Sequence, residues 1–214
     1  MTVPNALPMR ADARRNLERI MQAAREAFAE NGMDVGVEEI ARRAGVGKAT
    51  FFRRFPSKEA LVTALYMDFV DEVEGAIEEA LADLQPGDPL GPLRAFLEHS
   101  MRTQAHNKAF FEAVAARYVP PVEMTDRIMA SVERVMEPAR AAGLLRPGVE
   151  PGDVSTATKM LGAAIRPMEG LLLCEEAWPR YLDVVLSGLI GETPLPGVAA
   201  DPCMMVREFS AKTD

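Results

Sequence analysis

Wherever this chain carries a hydrophobic pattern, the pattern steps by three and four residues, and no stretch alternates with period two for long enough to claim a strand. A chain of that kind has to bury helix stripes against helix stripes, so its fold class is all-α. Leu17, Ile20, Met21, Ala24, Ala27 and Phe28 set an amphipathic helix from Ala11 to about Glu30, and Asn31-Gly32 ends it. Val37, Ile40, Ala41 and Ala44 form a second, shorter stripe, entered through Gly36 as a permissive N-cap with Glu38 and Glu39 in the first turn. Gly45 follows at once. A positive φ there lets the backbone turn sharply, Val46 plugs the corner, and a third helix begins near Gly47 or Lys48. Phe51 and Phe55, four apart, share one buried side and leave Lys48, Ala49, Phe52 and Arg53 on others. Pro56 ends that helix, and Ser57 caps a fourth that carries Leu61, Leu65, Phe69 and Val73. Helix, glycine turn, helix is the layout of a helix-turn-helix.

Charge is distributed to match. The chain has a net charge of -8, yet through Lys58 it holds 11 lysines and arginines against 7 aspartates and glutamates, a net of +4. The remainder holds 13 against 25, or -12. A basic beginning on an acidic body suits a surface that meets an anion, with the partner domain repelled from it. The bland alternative is a solvated cationic helix face over ordinary core phenylalanines.

The segment from about Arg19 to Leu65, with its EEIARRAGV core, KATF start of the third helix and FPSKEAL link, resembles the DNA-binding head of the TetR family of transcriptional regulators. The resemblance implies an all-α homodimer that binds operator DNA as a repressor and releases it when a small molecule enters the C-terminal domain. It implies a helix-turn-helix domain over 1–58 and a helical ligand-binding and dimerisation domain over 59–214. By the same resemblance Gly47, Lys48 and Ala49 sit at the groove, Thr50, Phe52 and Arg53 near phosphates, and Lys58 on the DNA backbone from the start of the fourth helix. Phe52 stands where the family usually has tyrosine, which removes a phosphate hydrogen bond, and Gly47 replaces a common serine or threonine. The physics agrees with the implication: a helix fits the major groove, its first residues reach base edges, and flanking cations neutralise phosphates. Arg53 and Lys58 then position the protein while Lys48 reads guanine edges.

Beyond the turn at Gln85-Pro86-Gly87-Asp88-Pro89 the period stays helical. Leu93, Phe96, Leu97 and Met101 mark one helix, and Phe110, Phe111, Val114 and Tyr118 another, which Pro120-Pro121 ends. Ile128, Met129, Val132, Val135 and Met136 form a stripe running to Gly143. Asp153 caps a helix with a small, apolar middle from Leu161 to Ile165, and Trp178 to Ile190 is apolar on several sides. Apolar breadth on these last two long helices asks for a second burial partner, which a homodimer supplies. The fourth helix, from Ser57 towards Leu84, is the lever that couples body to head. Pliable or aromatic residues on different helices, Met101, Phe111, Ile128, Met129 and Met160, are candidates for lining an effector pocket, with plain core as the alternative. Pro138 and Pro167 fall inside predicted helices and can bend them. In the tail, Asp201-Pro202 can start a short helix that lays Met204, Met205 and Phe209 on the body.

Other functions find little support. His99 and His106, seven apart with Glu98 and Glu112 nearby, share a face only if one helix runs unbroken between them, and they match no metal-ligand spacing. There is no G-x-S-x-G, P-loop or dinucleotide fingerprint, so no cofactor is expected, and a helical hydrolase using His99 or His106 as base is the rival class. Cys174 and Cys203 make no disulfide framework, the start MTVPNALPMR lacks a signal pattern, and no apolar run spans a bilayer. These features set the expectation of a cytoplasmic protein that does not engage a membrane.

Overall fold

Helical periodicity becomes helices among the residues the structure describes. The computed structural model of the chain describes residues 7–115, 118–164 and 178–199, with side chains described for 12–103, 110, 118–161 and 178–199. Among these residues it forms eight α-helices: α1 Leu7–Asn31, α2 Val37–Arg43, α3 Lys48–Arg54, α4 Lys58–Ala82, α5 Gly91–Ala115, α6 Val122–Ala141, α7 Pro151–Ala164 and α8 Trp178–Leu189. A 3-10 turn, Gly32–Asp34, follows α1, and Gly32 takes the positive φ of +67° that ends the longer helix. The chain divides into two units, Met1–Asp68 with Asn107–Tyr118, and Phe69–His106 with Val119–Asp214. Both α4 and α5 are continuous through a change of unit.

In the first unit Ile20, Ala24 and Phe28 of α1 close over Ile40 of α2, Phe51 of α3 and Leu61 of α4. Phe110 of α5 joins them, its ring 6.1 Å from that of Phe28. Tyr118 stacks at 5.1 Å on Tyr66 and shares a 2.8 Å hydrogen bond with the Thr63 hydroxyl, which satisfies both polar tips at the edge of an apolar cluster.

In the second unit Val73 and Ile77 of α4 pack with Leu93 and Leu97 of α5, Val135 and Met136 of α6, and Leu182 and Leu186 of α8. Outside this core Arg127 of α6 reaches Asp71 at 2.9 Å and Glu74 at 2.6 Å, and Arg134 reaches Glu78 at 2.7 Å, so three acids of α4 answer two arginines of α6. The Arg134 hydrogen bond holds the Glu78 carboxyl below its ordinary range.

Two expectations are corrected. The stripes around Met101 and Phe110 belong to one helix, α5, because nothing between them breaks the backbone. Asp153 is not the cap of α7. It lies inside the first turn, and its Oδ2 accepts the Glu150 N–H at 3.0 Å, with Pro151 opening the helix where a missing N–H is harmless. Pro138 lies inside α6, as its place in the sequence pattern led one to expect, and the helix continues to Ala141 and closes on Gly143, φ +67°. An isolated antiparallel bridge pairs Leu145 with Ile190, and Arg146 donates to the Thr193 carbonyl at 3.1 Å. Pro167 and the tail helix expected after Asp201 lie outside the described residues.

Candidate nucleic-acid interface

The turn after α2 fixes everything that follows. Gly45 takes φ +64°, its N–H bonds the Arg42 carbonyl at 3.1 Å, and the Val46 N–H bonds the Ala41 carbonyl at 3.0 Å. This is the Schellman closure of a helix, and it needs a left-handed residue where glycine stands. Gly47 then enters α3 as an N-cap with extended backbone, φ -70° and ψ 149°, its carbonyl accepting from Thr50 at 2.9 Å and Phe51 at 3.0 Å. Phe51 and Phe55 are buried with ring centres 5.8 Å apart, so they anchor α3 to the helices beneath.

That anchoring decides what faces out. Gly47, Lys48, Ala49, Arg53 and Arg54 are exposed, Phe52 is 40% exposed, and Thr50 is half-buried. Lys48 donates to Glu38 and lies 5.8 Å from the centre of the Phe52 ring. That bond, assisted by Glu38's own backbone N–H, keeps the Glu38 carboxyl below the ordinary carboxylate range. Glu39 is engaged by both Arg42 and Arg43, whose guanidinium hydrogen bonds pull its carboxyl down to about 2. Arg53 and Arg54 have no acidic partner among the described residues. Arg54 was not among the residues singled out from the sequence, although its place beside Arg53 at the end of an exposed helix face was a usable signal.

Lys58, expected on the DNA backbone, is engaged by the chain itself. Its ammonium is half-buried and donates to the carbonyls of Met33, at 2.6 Å, and Val35, at 3.5 Å. The carbonyls that follow α1 need donors, and Lys58 supplies them, so its charge is committed to the fold. Lys58→Met, which keeps the stem and removes the charge, is expected to lower stability by about 1.5–3 kcal/mol, as for other hydrogen bonds to charged groups. It should leave the salt dependence of DNA binding nearly unchanged, whereas a phosphate contact would reduce the slope by about 0.9. Thermal melting beside a salt titration separates the two.

The residues expected to line an effector pocket fall in different settings. Met101 is buried in the second unit's core, Ile128 packs against that core, and Met129 is half-buried. Met160 is 66% exposed on α7 and so does not face the interior with Met101. The side chain of Phe111 lies outside the described residues, as does that of His106. His99 shares a 3.2 Å hydrogen bond with Thr103, which also donates to Glu72 at 3.2 Å, a local polar cluster. No group of three or more metal-capable side chains occurs among the described residues, and none of their helices is long and apolar enough to cross a membrane.

Known proteins share this arrangement. The sequence profile described as bacterial regulatory proteins, tetR family, matches residues 20–65. The crystal structure of the TetR transcriptional regulator SCO0520 from Streptomyces coelicolor is 30% identical, covering 81% of this chain and 98% of its own, with a TM-score of 0.60. A TetR regulatory protein from Mycobacterium vanbaalenii is 28% identical over 86% of this chain and 100% of its own, also at 0.60. The HTH-type transcriptional activator FasR of Mycolicibacterium smegmatis is 32% identical over 111 residues, 51% of this chain and 43% of FasR. The chain spans less than half the length of the curated relatives it matches.

Proposed function

This chain belongs to the TetR family of bacterial transcriptional regulators, and on that footing we propose that it binds a palindromic operator as a homodimer, represses from it, and releases it when a small apolar or amphipathic effector enters the second unit. The observation that carries the DNA-binding half of this reading is α3 itself, a short helix pinned by Phe51 and Phe55 with Lys48, Phe52, Arg53 and Arg54 turned outward. Lys48 and Ala49 at its start read base edges, while Arg53 and Arg54 hold phosphates. Arg53→Ala and Arg54→Ala are each expected to weaken binding to specific and random duplexes alike. Each should also reduce the slope of log K against log salt by about 0.9. An unaltered slope in both variants would remove α3 from the interface.

The homodimer is supported by α8. Leu182, Leu186 and Leu189 form its buried stripe, and Tyr181, Val184 and Gly188 lie together on an exposed one, with open space around Gly188. Met160 of α7 is a second exposed apolar side chain. For the effector, the pocket is assigned to the neighbourhood of Met101, Ile128 and Met129, and α4 is the element proposed to carry its occupancy to the recognition helix. The seam between α4 and α6 lends itself to this, because its charged pairs are exposed and can re-form after a small shift. A tenfold loss of operator affinity requires about 1.4 kcal/mol of coupling, and linkage makes operator weaken the effector by the same factor. Ligand affinity measured with and without saturating operator tests this, and equal values would exclude it. A reporter driven by the DNA upstream of its own gene, compared with and without the protein, tests repression.

A further inference from the structure

Glu38 and Lys48 form a pair unlike the other charges of the helix-turn-helix. Glu38 stands in the first turn of α2 and Lys48 is the first residue of α3, and the Gly45 turn between those helices brings their side chains together. The ammonium donates to Glu38 Oε1 at 2.5 Å, yet the two side chains remain 65% and 60% exposed. Glu39, the next residue, is already occupied by Arg42 and Arg43, so it does not compete for Lys48. Arg53 and Arg54 have no such acid among the described residues. The cation placed to read bases is therefore the one that is restrained, and the cations placed for phosphates are free.

We propose that Glu38 is a positioning residue that holds Lys48 in check, cancelling its attraction to arbitrary DNA and yielding it only to an accepting base edge in the groove. The inference rests on α3 being the helix that faces DNA. Sequence-independent affinity grows with the number of cations that displace counterions from phosphates, and a lysine neutralised by a neighbouring carboxylate drops out of that number. A guanine edge presents two acceptors at short range only to a helix seated in the major groove, where it can compete with the carboxylate for the ammonium. An exposed pair is weakly held, so the exchange is open to Lys48. The Phe52 ring, 5.8 Å from Nζ, attracts the cation and helps keep it over α3.

The test uses the full chain as wild type, Glu38→Gln, Lys48→Met and the double variant. Each is titrated across salt concentrations with a random-sequence duplex and with the tightest duplex that the wild type selects from a random pool. Glu38→Gln is expected to tighten binding to random duplex roughly three- to tenfold at about 0.1 M salt and to steepen its salt slope by about 0.9. The selected duplex should gain less, so the ratio between the two narrows. With Lys48→Met in place, the same substitution should have less than half that effect. Equal gains with and without Lys48 would overturn the proposal, since Glu38 would then act by repelling DNA directly; so would equal gains on both duplexes, or none. Arg53→Ala, run alongside, separates the premises: if it too leaves random-duplex binding unchanged, α3 is not the DNA-facing helix, and if it alone weakens binding, only the role of Glu38 fails.

Discussion

Phe51→Ala is expected to lower the stability of the helix-turn-helix unit by about 3–5 kcal/mol and to abolish DNA binding with it. The side chain is fully buried, and its ring lies 5.8 Å from Phe55 and 5.6 Å edge-on from Phe52. Removing it leaves a ring-sized void that the neighbours fill only in part. The effect is large for a second reason. A seven-residue helix does not hold its shape in water without tertiary contacts, so α3 exists as a helix because Phe51 is buried. Phe52→Ala is the control, since that ring is on the outside; it should leave the melting profile in place while altering DNA affinity. Circular dichroism melts and a binding titration on the same samples report both, and full-affinity binding by Phe51→Ala would show that the helix is held some other way.

Val184→Asp should convert the proposed dimer to monomer and weaken operator binding by roughly 10²- to 10⁴-fold, the advantage that linked binding of two modules confers. Val184 is 62% exposed, so a charge there does little to the fold of one chain, within about 0.5 kcal/mol for a surface change. Placed at a twofold contact it meets its own copy, and two carboxylates are then buried without a partner. Light scattering would read the mass and a fluorescence titration the affinity. A Val184→Asp protein that remains dimeric would move the interface off α8.

The helix-turn-helix was legible in the sequence because its determinants are local. Asn31-Gly32, Gly45, Pro56 and Ser57 fix helix ends through backbone rules that act within a few residues, and the four-residue spacing of Phe51 and Phe55 fixes the buried side of α3. The continuity of α5 was hidden by the polar run from Thr103 to Lys108, which interrupts the apolar stripe without supplying any residue that stops a helix. The place of Lys58 in the fold was hidden for a different reason. Its hydrogen-bond acceptors, the carbonyls of Met33 and Val35, are more than twenty positions away, and no periodicity reveals where a lysine tip finds them. The same holds for Glu38 and Lys48, ten positions apart, and for the bridge between Leu145 and Ile190.

The ion pairs around the helix-turn-helix also bear on how quickly the protein finds its site. Arg14, Arg15, Arg25, Arg42, Arg43 and Lys48 each stand against a carboxylate, and Lys58 points inward. Paired charges present little field at a distance, and the chain as a whole is negative. Arrival at DNA should therefore resemble that of weakly steered partners, about 10⁵–10⁶ M⁻¹s⁻¹, rather than the far faster capture that an open basic face allows. Occupancy of an operator would then be governed by how long the protein stays. A regulator of this kind is expected to spend little time sliding on irrelevant sequence, with its response time set by departure.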